Sequence, residues 1–141
     1  MRLLVTTPTA IAVDQDRVRY VRAEDASGSF GIEPHHAELL TTLTVCVVRW
    51  RDADHRERYV AVRGGVLRVC NGNLVEIATR EALVGDDLPL LYGQVLSAMR
   101  NNLEAEQSAR SDALRLEHAV VRQVYRYLRP ADRPIKTRLR E

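Results

Sequence analysis

The dipeptide Asn71-Gly72 constrains the fold most, because it stands between two short apolar segments and predicts a β-hairpin. Both residues adopt positive φ readily, as a tight turn between antiparallel strands requires. The flanking segments are VLRVC and NLVEIA, and in the second of them Val75 and Ile77 alternate with Glu76. This alternation is typical of a strand with one buried face. The surrounding segments are therefore expected to pair with this hairpin.

Further short apolar segments precede the hairpin at regular intervals. Strands are predicted at 3–6, 18–23, 30–32, 43–50, 59–63 and 66–70. The segment at 43–50 is apolar on both faces, with Val45 and Val47 on one and Cys46, Val48 and Trp50 on the other. Gly64-Gly65 interrupts regular structure, as a bulge or a tight corner does. Strands at this spacing predict an antiparallel sandwich or barrel over roughly residues 1–85.

Beyond Gly85 the period of the apolar residues lengthens and predicts an amphipathic helix. Asp87 can cap this helix, with Pro89 in its first turn, where a missing N–H has no consequence. Apolar residues then recur at steps of three and four, at Leu88, Leu91, Tyr92, Val95, Met99 and Leu103. Gly93 lies inside the pattern and costs about 1 kcal/mol relative to Ala, so the helix depends on packing for its stability.

A two-helix hairpin is the predicted form of the C-terminal part. The polar run at 104–112 is expected to hold a turn, and Ser111 or Asp112 to cap a second helix that ends near Leu128. The predicted fold class is therefore α+β, an N-terminal antiparallel β-sandwich followed by a C-terminal two-helix hairpin. The predicted domains are the sandwich at 1–86, the hairpin at 87–129 and a basic tail at 130–141.

Composition limits the class of protein. With 141 residues, 45% of them apolar, the chain can bury a core. A net charge of +2 gives no argument for nucleic acid as a partner. Cys46 and Cys70 lack metal or disulfide spacing and are predicted to be buried free thiols in a reducing compartment. Because no apolar run approaches the roughly 20 residues of a membrane span, we expect a cytoplasmic protein, or attachment to a membrane only through partners.

His35 and His36, beside Glu33 and Glu38, are the strongest candidates for catalysis or metal binding. Adjacent residues of an extended segment point to opposite faces, and the chain contains no HxH or HxxxH pair. The motifs of an activated nucleophile and of a phosphate-binding loop are also missing from the sequence. We therefore predict no catalytic residue, no metal site and no enzyme activity, and favour an exposed segment that another protein contacts.

Two stretches resemble the signature sequences of the epsilon subunit of bacterial F-type ATP synthases. The first is SGSFGIEPHHAELLTTL at 27–43, with matches at Gly28, Phe30, Gly31, Ile32, Pro34, His36, Ala37, Leu39 and Leu40. The second begins at Tyr59 and contains Gly64-Gly65, the turn Asn71-Gly72-Asn73 and the junction Asp86-Asp87-Leu88. The order and separation of the stretches also match, so the resemblance covers the whole chain and is most specific in its N-terminal part.

This resemblance implies a non-catalytic subunit of the central stalk, the rotor of the synthase. Such a subunit couples the ring of c subunits to the catalytic head through the gamma subunit, and its C-terminal hairpin, when extended, inhibits ATP hydrolysis. The implied partners are gamma, the c ring and, for the extended hairpin, the catalytic beta subunit. The implied location is peripheral, on the cytoplasmic face of the bacterial inner membrane, with no nucleic-acid partner and membrane contact only through the complex.

The resemblance also assigns contact residues. The c-ring contact is expected at Gly28, Ser29, Phe30 and Gly31. The gamma contact is expected at His36, Leu39 and Leu40. The beta-subunit contact of the extended hairpin is expected at Arg115, Arg122 and Arg126.

Two departures from the family pattern qualify these expectations. Some epsilon subunits bind ATP through an acidic-x-x-Arg-Ala pattern at the start of the first helix, and the segment at 87–93 contains no arginine. We therefore expect no cofactor. Ser29 stands where many members carry a glutamate, which is consistent with a divergent branch of the family, such as a sodium-type one. The alternative interpretation is a stand-alone β-sandwich binding module, whose basic C-terminal hairpin binds acidic protein or nucleic acid.

Overall fold

The computed structural model describes residues 1–128, which form eight strands and a helical segment. The strands are β1 (Arg2–Thr6), β2 (Ile11–Gln15), β3 (Tyr20–Asp25), β4 (Gly28–Ile32), β5 (Leu39–Arg51), β6 (Glu57–Cys70), β7 (Leu74–Ala78) and β8 (Ala82–Gly85). The helical segment consists of α1 (Leu88–Leu90), a π-helical turn (Leu91–Val95) and α2 (Leu96–Leu128).

The strands build a β-sandwich around the two long strands β5 and β6. These pair over their whole length, from Leu39 with Val69 to Arg51 with Glu57. The strand order is β2-β1-β7-β6-β5-β3-β4, and β8 pairs with the first half of β6. One layer therefore contains β1, β2 and β7, and the other contains β3, β4 and β8. The pairs are antiparallel except for β1 with β7, which is parallel.

Gly64 and Gly65 lie where β6 exchanges its neighbour β8 for β7. Both have positive φ, +66° and +129°. A Cβ on Gly65 would overlap the carbonyl oxygen of Ala78 and lie 3.0 Å from Cα of Thr79. Because the register with β5 continues unchanged across both positions, the glycines form a corner rather than a bulge against β5. Only glycine combines this backbone conformation with such a close approach.

One apolar core fills the space between the layers. Its fully buried side chains include Leu3, Val21, Ile32, Val48, Trp50, Val60, Leu67 and Ile77. The predicted division of β5 into two apolar faces is confirmed, since Cys46, Val48 and Trp50 belong to this core and Val45 and Val47 belong to a second cluster. Cys46 and Cys70 are both buried and free, as predicted.

The second cluster lies where the helical segment covers the outer face of β5 and β6. It contains Leu91, Leu96 and Met99 from the helical segment, packed on Val45, Val47 and Ala61 of the sheet. The segment begins as predicted, because the Asp87 carboxylate accepts the N–H of Leu90 at 3.2 Å and a proline lies in the first turn. Each buried side chain of this size contributes about 1.5–3 kcal/mol, so docking holds this part of the helix in place.

The turn predicted at 104–112 is not formed, because Leu96–Leu128 is one helix of 33 residues. The Ser111 hydroxyl donates to the carbonyl of Gln107 at 3.1 Å within the helix and does not cap a new one. The segment contains neither Gly nor Pro, and its Glu, Gln and Arg residues are good helix formers, so polarity alone does not break it. The chain divides into a compact unit Met1–Glu104 and a second that begins at Ala105. The predicted tail at 130–141 lies outside the described residues.

Candidate interaction surfaces

A turn built on Pro34 organises the first signature stretch. The N–H of His36 donates to the carbonyl of Glu33 at 3.2 Å, which closes a turn over Pro34 and His35. His35 has φ +67°, and a proline followed by a residue of positive φ is the pattern of a type II turn. Pro34 and His35 therefore form a type II turn. Its third position, usually glycine or asparagine, is occupied by His35.

The two signature stretches pack against each other at this turn. The N–H of His35 donates to the carbonyl of Gly72 at 2.7 Å. Gly72 has φ +65°, and a Cβ there would lie 3.0 Å from Cα of His35. The Asn71-Gly72 turn thus has a second role besides closing its hairpin, since it supports the backbone of the histidine turn. This contact stabilises the positive φ of His35, which is unfavourable for a residue with a Cβ.

The histidines themselves are not arranged as ligands. His36 Nδ1 lies 2.7 Å from the carbonyl oxygen of Ala37, a contact that requires the proton to be on Nδ1. Over residues 1–128, no three side chains of His, Cys, Asp or Glu are grouped as a metal site. His36 is half-buried and His35 is exposed.

An apolar groove with a volume of about 320 Å³ lies on the outer face of β1, β7 and β6. Its lining includes Leu4, Thr6, Leu40, Val66, Arg68 and Ala78. Leu40 is 71% exposed and Val66 is 43% exposed, which is unusual for apolar side chains on neighbouring strands. Leu39 points the other way and packs on the core. Of the three residues expected to contact gamma, Leu40 thus lines the groove, whereas Leu39 packs on the core and His36 does not line the groove.

Leu4, Val66 and Ala78 were not predicted from the sequence as part of an interaction surface. They belong to three strands that are distant along the chain, and each is an ordinary apolar residue in an apolar segment. The only local signal is that Leu4 lies between the core residues Leu3 and Val5 and must therefore face outwards.

The segment expected to face the c ring is an edge strand. Residues 28–32 form β4, which pairs with β3 and ends the strand order. Gly28, Ser29 and Gly31 are exposed, and Phe30 packs partly on the core. An edge strand leaves backbone N–H and C=O groups on one side without a strand partner, so this side can contact another chain.

Asp25 fixes the turn that leads into β4. Its Oδ1 accepts the hydroxyl of Ser27 and, at 2.8 Å, the N–H of the same residue, and its Oδ2 accepts the Thr41 hydroxyl at 3.0 Å. These hydrogen bonds, those from Ser27 first, lower the pKa of Asp25 below its ordinary value. The ionised carboxylate therefore positions the beginning of the edge strand.

Gly31 lies beneath the ring of Tyr20 on the neighbouring strand. A Cβ at Gly31 would lie 2.6 Å from the Tyr20 hydroxyl oxygen and 2.7 Å from its Cε2. Any larger residue at this position has to displace the tyrosine ring, because the edge strand has no room for both.

The helix α2 presents an apolar row and a set of arginines. Leu114, Leu116, Val120, Val121 and Val124 are all about half exposed or more. Arg115 and Arg122 are exposed, and Arg122 Nε donates to the carbonyl of His118 at 3.2 Å. Arg126 belongs to the same helix, but its side chain lies outside the described residues. Within the part of the chain that the structure describes, no helix is long and apolar enough to cross a membrane.

Comparison with known proteins gives consistent matches over most of the chain. Residues 1–85 match the family described as ATP synthase, Delta/Epsilon chain, beta-sandwich domain. The chain is 45% identical to ATP synthase epsilon chain 2 of Paraburkholderia xenovorans over 131 residues, which are 93% of this chain and 94% of that protein. It is 38% identical to ATP synthase epsilon chain 2 of Cereibacter sphaeroides, over 91% of this chain and 88% of that one.

Two solved structures share the fold. A chain in the mitochondrial ATP synthase of Euglena gracilis, solved with OSCP, F1 and c-ring, superposes with a TM-score of 0.55 at 20% identity, over 58% of this chain and 51% of that one. A chain in the central stalk and c-ring of the Tetrahymena thermophila mitochondrial ATP synthase superposes with a TM-score of 0.52 at 18% identity. The superposition covers 73% of this chain and 90% of that one. At these identities the likeness concerns the fold alone.

Proposed function

This chain belongs to the ATP synthase delta/epsilon chain family, and we propose that it is the epsilon-type subunit of the central stalk of a bacterial rotary ATP synthase. The observation that carries the proposal is the 45% identity to an epsilon chain over 131 residues, because this match extends from the sandwich into the helix. The subunit is non-catalytic. Its role is to transmit rotation between the c ring and the catalytic head, at the cytoplasmic face of the inner membrane, without crossing that membrane itself.

The apolar groove is the proposed contact for the gamma subunit. It combines an apolar centre, formed by Leu40, Val66 and Ala78, with the polar side chains of Arg68 and Glu76. Protein interfaces share this arrangement, in which an apolar centre excludes water and a polar rim sets orientation. Through Leu40, the groove extends the contact inferred from the first signature stretch.

The gamma contact can be tested with Leu40→Asp in the full chain. The side chain is 71% exposed, so the substitution leaves the core intact, but it places a charge in the centre of the proposed interface. We expect binding to purified gamma subunit, measured by calorimetry, to weaken by a factor of ten or more. Leu83→Asp, at another exposed leucine on β8, is the matched control and should bind like the unsubstituted chain. Equal binding by both variants would contradict the placement of gamma on the groove.

The edge strand β4 is the proposed c-ring contact. Gly28, Ser29 and Gly31 present exposed backbone there, and Phe30 anchors the strand on the core. The Asp25 carboxylate holds the preceding turn, so the strand is a fixed element rather than a flexible loop. A rigid contact suits a subunit that transmits torque.

We further propose that the part of α2 beyond Glu104 inhibits ATP hydrolysis. Its apolar row at 114–124 is exposed and suits a protein partner, and Arg115, Arg122 and Arg126 can pair with acidic residues of the catalytic beta subunit. Residues up to 104 belong to the first compact unit, and Leu96 and Met99 are buried there on the sheet. The inhibitory segment is therefore expected to begin beyond Glu104.

Truncation after Glu104 tests the inhibition and leaves the first compact unit complete. Truncation after Asp87 is less informative, because it uncovers Val45, Val47 and Ala61. We expect the assembled complex with the 1–104 chain to hydrolyse ATP faster than the complex with the full chain. If it assembles and hydrolyses at the same rate, inhibition by this segment is wrong, while the central-stalk assignment stands.

The three arginines can be tested separately from the truncation. Replacement of Arg115, Arg122 and Arg126 by Gln keeps the helix and removes three positive charges. Hydrolysis should then rise towards the rate of the truncated chain. Arg100→Gln, an exposed arginine within the first unit, serves as the control and should leave the rate unchanged.

A further inference from the structure

A second cavity, of about 240 Å³, lies between the outer face of β3 and β5 and the beginning of the helical segment. Arg22 of β3 and Arg49 of β5 line it, together with Tyr92 from the π-helical turn. Val47, which is 7% exposed, and Leu88 provide apolar surface. All of these residues belong to the compact unit Met1–Glu104. The cavity is distinct from the apolar groove, which lies on the other layer of the sandwich.

The two arginines oppose each other in the sheet. Arg22 and Arg49 are direct partners in the antiparallel register of β3 and β5. Side chains of directly opposed residues lie on the same face and close together, so two positive charges at such a pair repel. The register of β3 with β5 becomes irregular immediately after this pair.

Among residues 1–128, Arg49 forms one long ion pair and Arg22 forms none. The ion pair of Arg49 is with Glu57 at 3.9 Å. The shorter bonds of that carboxylate go to Arg51 Nη2 at 2.8 Å and to the Tyr59 hydroxyl at 3.1 Å. Arg22 takes part in no ion pair within this part of the chain. Glu57, shared with Arg51, therefore compensates the charge of Arg49 only in part, and the charge of Arg22 is not compensated by an ion pair in this part of the chain.

Glu24 is the carboxylate of the cavity lining, and it reduces but does not cancel this charge. Within residues 1–128 it forms no ion pair with Arg22 or Arg49. The two arginines and this glutamate leave a formal charge of one positive unit in the lining.

We propose that this cavity binds a phosphate group, either as the free anion or on a small organic ester. Each guanidinium presents a planar fork of N–H donors, and two forks from neighbouring strands match an anion with oxygens in more than one plane. A carboxylate has only two oxygens in one plane and satisfies one fork. The apolar surface of Val47 and Leu88 and the ring of Tyr92 provide contacts for the organic part of an ester.

Occupation of the cavity has a structural consequence. A phosphate held by Arg22 and Arg49 removes their mutual repulsion and contacts Leu88 and Tyr92. It therefore joins the sheet to the beginning of the helical segment, and its stabilisation of the folded chain grows with the logarithm of the phosphate concentration above the dissociation constant.

Thermal unfolding of the full chain in sodium phosphate, against sodium chloride of the same ionic strength, tests the proposal. We expect the midpoint to rise by about 3 °C or more at saturating phosphate. Arg22→Gln, Arg49→Gln and the double variant should lose this rise, and Arg100→Gln, which removes an exposed arginine outside the lining, should keep it. In chloride alone, Arg22→Gln should melt at or above the midpoint of the unsubstituted chain, because it removes one of the two opposed charges.

Glycerol phosphate and ATP, used in parallel with inorganic phosphate, distinguish the sources of the phosphate group. If inorganic phosphate raises the unfolding midpoint, the ligand is the free anion. If only an ester raises it, the ligand is a phosphate ester. The proposal is wrong if none of the three raises the midpoint, or if the rise persists in the double variant. It is also wrong if Arg22→Gln lowers the midpoint in chloride, because the arginine would then be a structural residue.

Discussion

Replacing two glycines by alanine should affect stability differently. At Gly65 the backbone has φ +129°, and the added Cβ overlaps the carbonyl oxygen of Ala78. Strain of a non-glycine residue in such a region costs about 1–3 kcal/mol. Relief of the overlap requires a shift of backbone on both strands, which costs about another 1–3 kcal/mol. Gly65→Ala should therefore destabilise the protein by about 2–6 kcal/mol, a large part of the 5–15 kcal/mol typical of a domain.

Gly93→Ala is the matched control. Gly93 lies in the π-helical turn, and nothing lies within 4 Å of the position of its added Cβ. Alanine is favoured over glycine in a helix by about 1 kcal/mol, so this variant should be as stable as the unsubstituted chain or more stable by about that amount.

Fluorescence of the single tryptophan makes the comparison direct. Trp50 is 2% exposed in the core and should report global unfolding in urea. A lower midpoint with unchanged slope is expected for Gly65→Ala, and an equal or higher midpoint for Gly93→Ala. Unchanged or increased stability of Gly65→Ala would refute the argument that the corner of β6 requires glycine.

Four further outcomes follow from single positions. Met99→Ala should lower the free energy of unfolding by about 2–5 kcal/mol in urea titration, because the side chain is 1% exposed between helix and sheet. Gly31→Leu should displace the ring of Tyr20, visible as a changed near-ultraviolet circular dichroism, and weaken c-ring coupling in the assembled complex without altering the catalytic step. Burial raises the pKa of the Cys46 thiol to about 11. The unfolded chain therefore loses this proton first, and the free energy of unfolding should fall as the pH rises from about 8.5 to about 11. Cys46→Val should lack this part of the pH dependence. The pKa of Asp25 is lowered, so Asp25→Asn should destabilise most at neutral pH and progressively less below about pH 4, where the unsubstituted carboxylate also becomes protonated.

Features that depend on a few neighbouring residues could be predicted from the sequence. The Asn71-Gly72 turn, the Asp87 cap and the two apolar faces of β5 were all found this way. Each is fixed by backbone preference or by the alternation of side chains, and neither requires knowledge of distant residues. The signature stretches added the family, which residues 1–85 and the epsilon-chain relatives confirm.

Local patterns failed where competing interactions decide the structure. The polar run at 104–112 was expected to turn, but continuous helix propensity prevails, since no residue there blocks the helix. β2 was not predicted, because Ile11 is 64% exposed and the strand exists through its pairing with β1. The strand predicted at 30–32 begins earlier, at Gly28, because pairing with β3 orders the preceding residues.

Two of the proposed surfaces join residues that only the tertiary structure brings together. The apolar groove unites residues of β1, β5, β6 and β7, and the cavity with Arg22 and Arg49 arises from the register of β3 and β5. Sequence determines which residues can form strands and which side of a strand is apolar. It does not determine which outward-facing side chains become neighbours, because that depends on strand order and register, which are set by the packing of the whole sandwich.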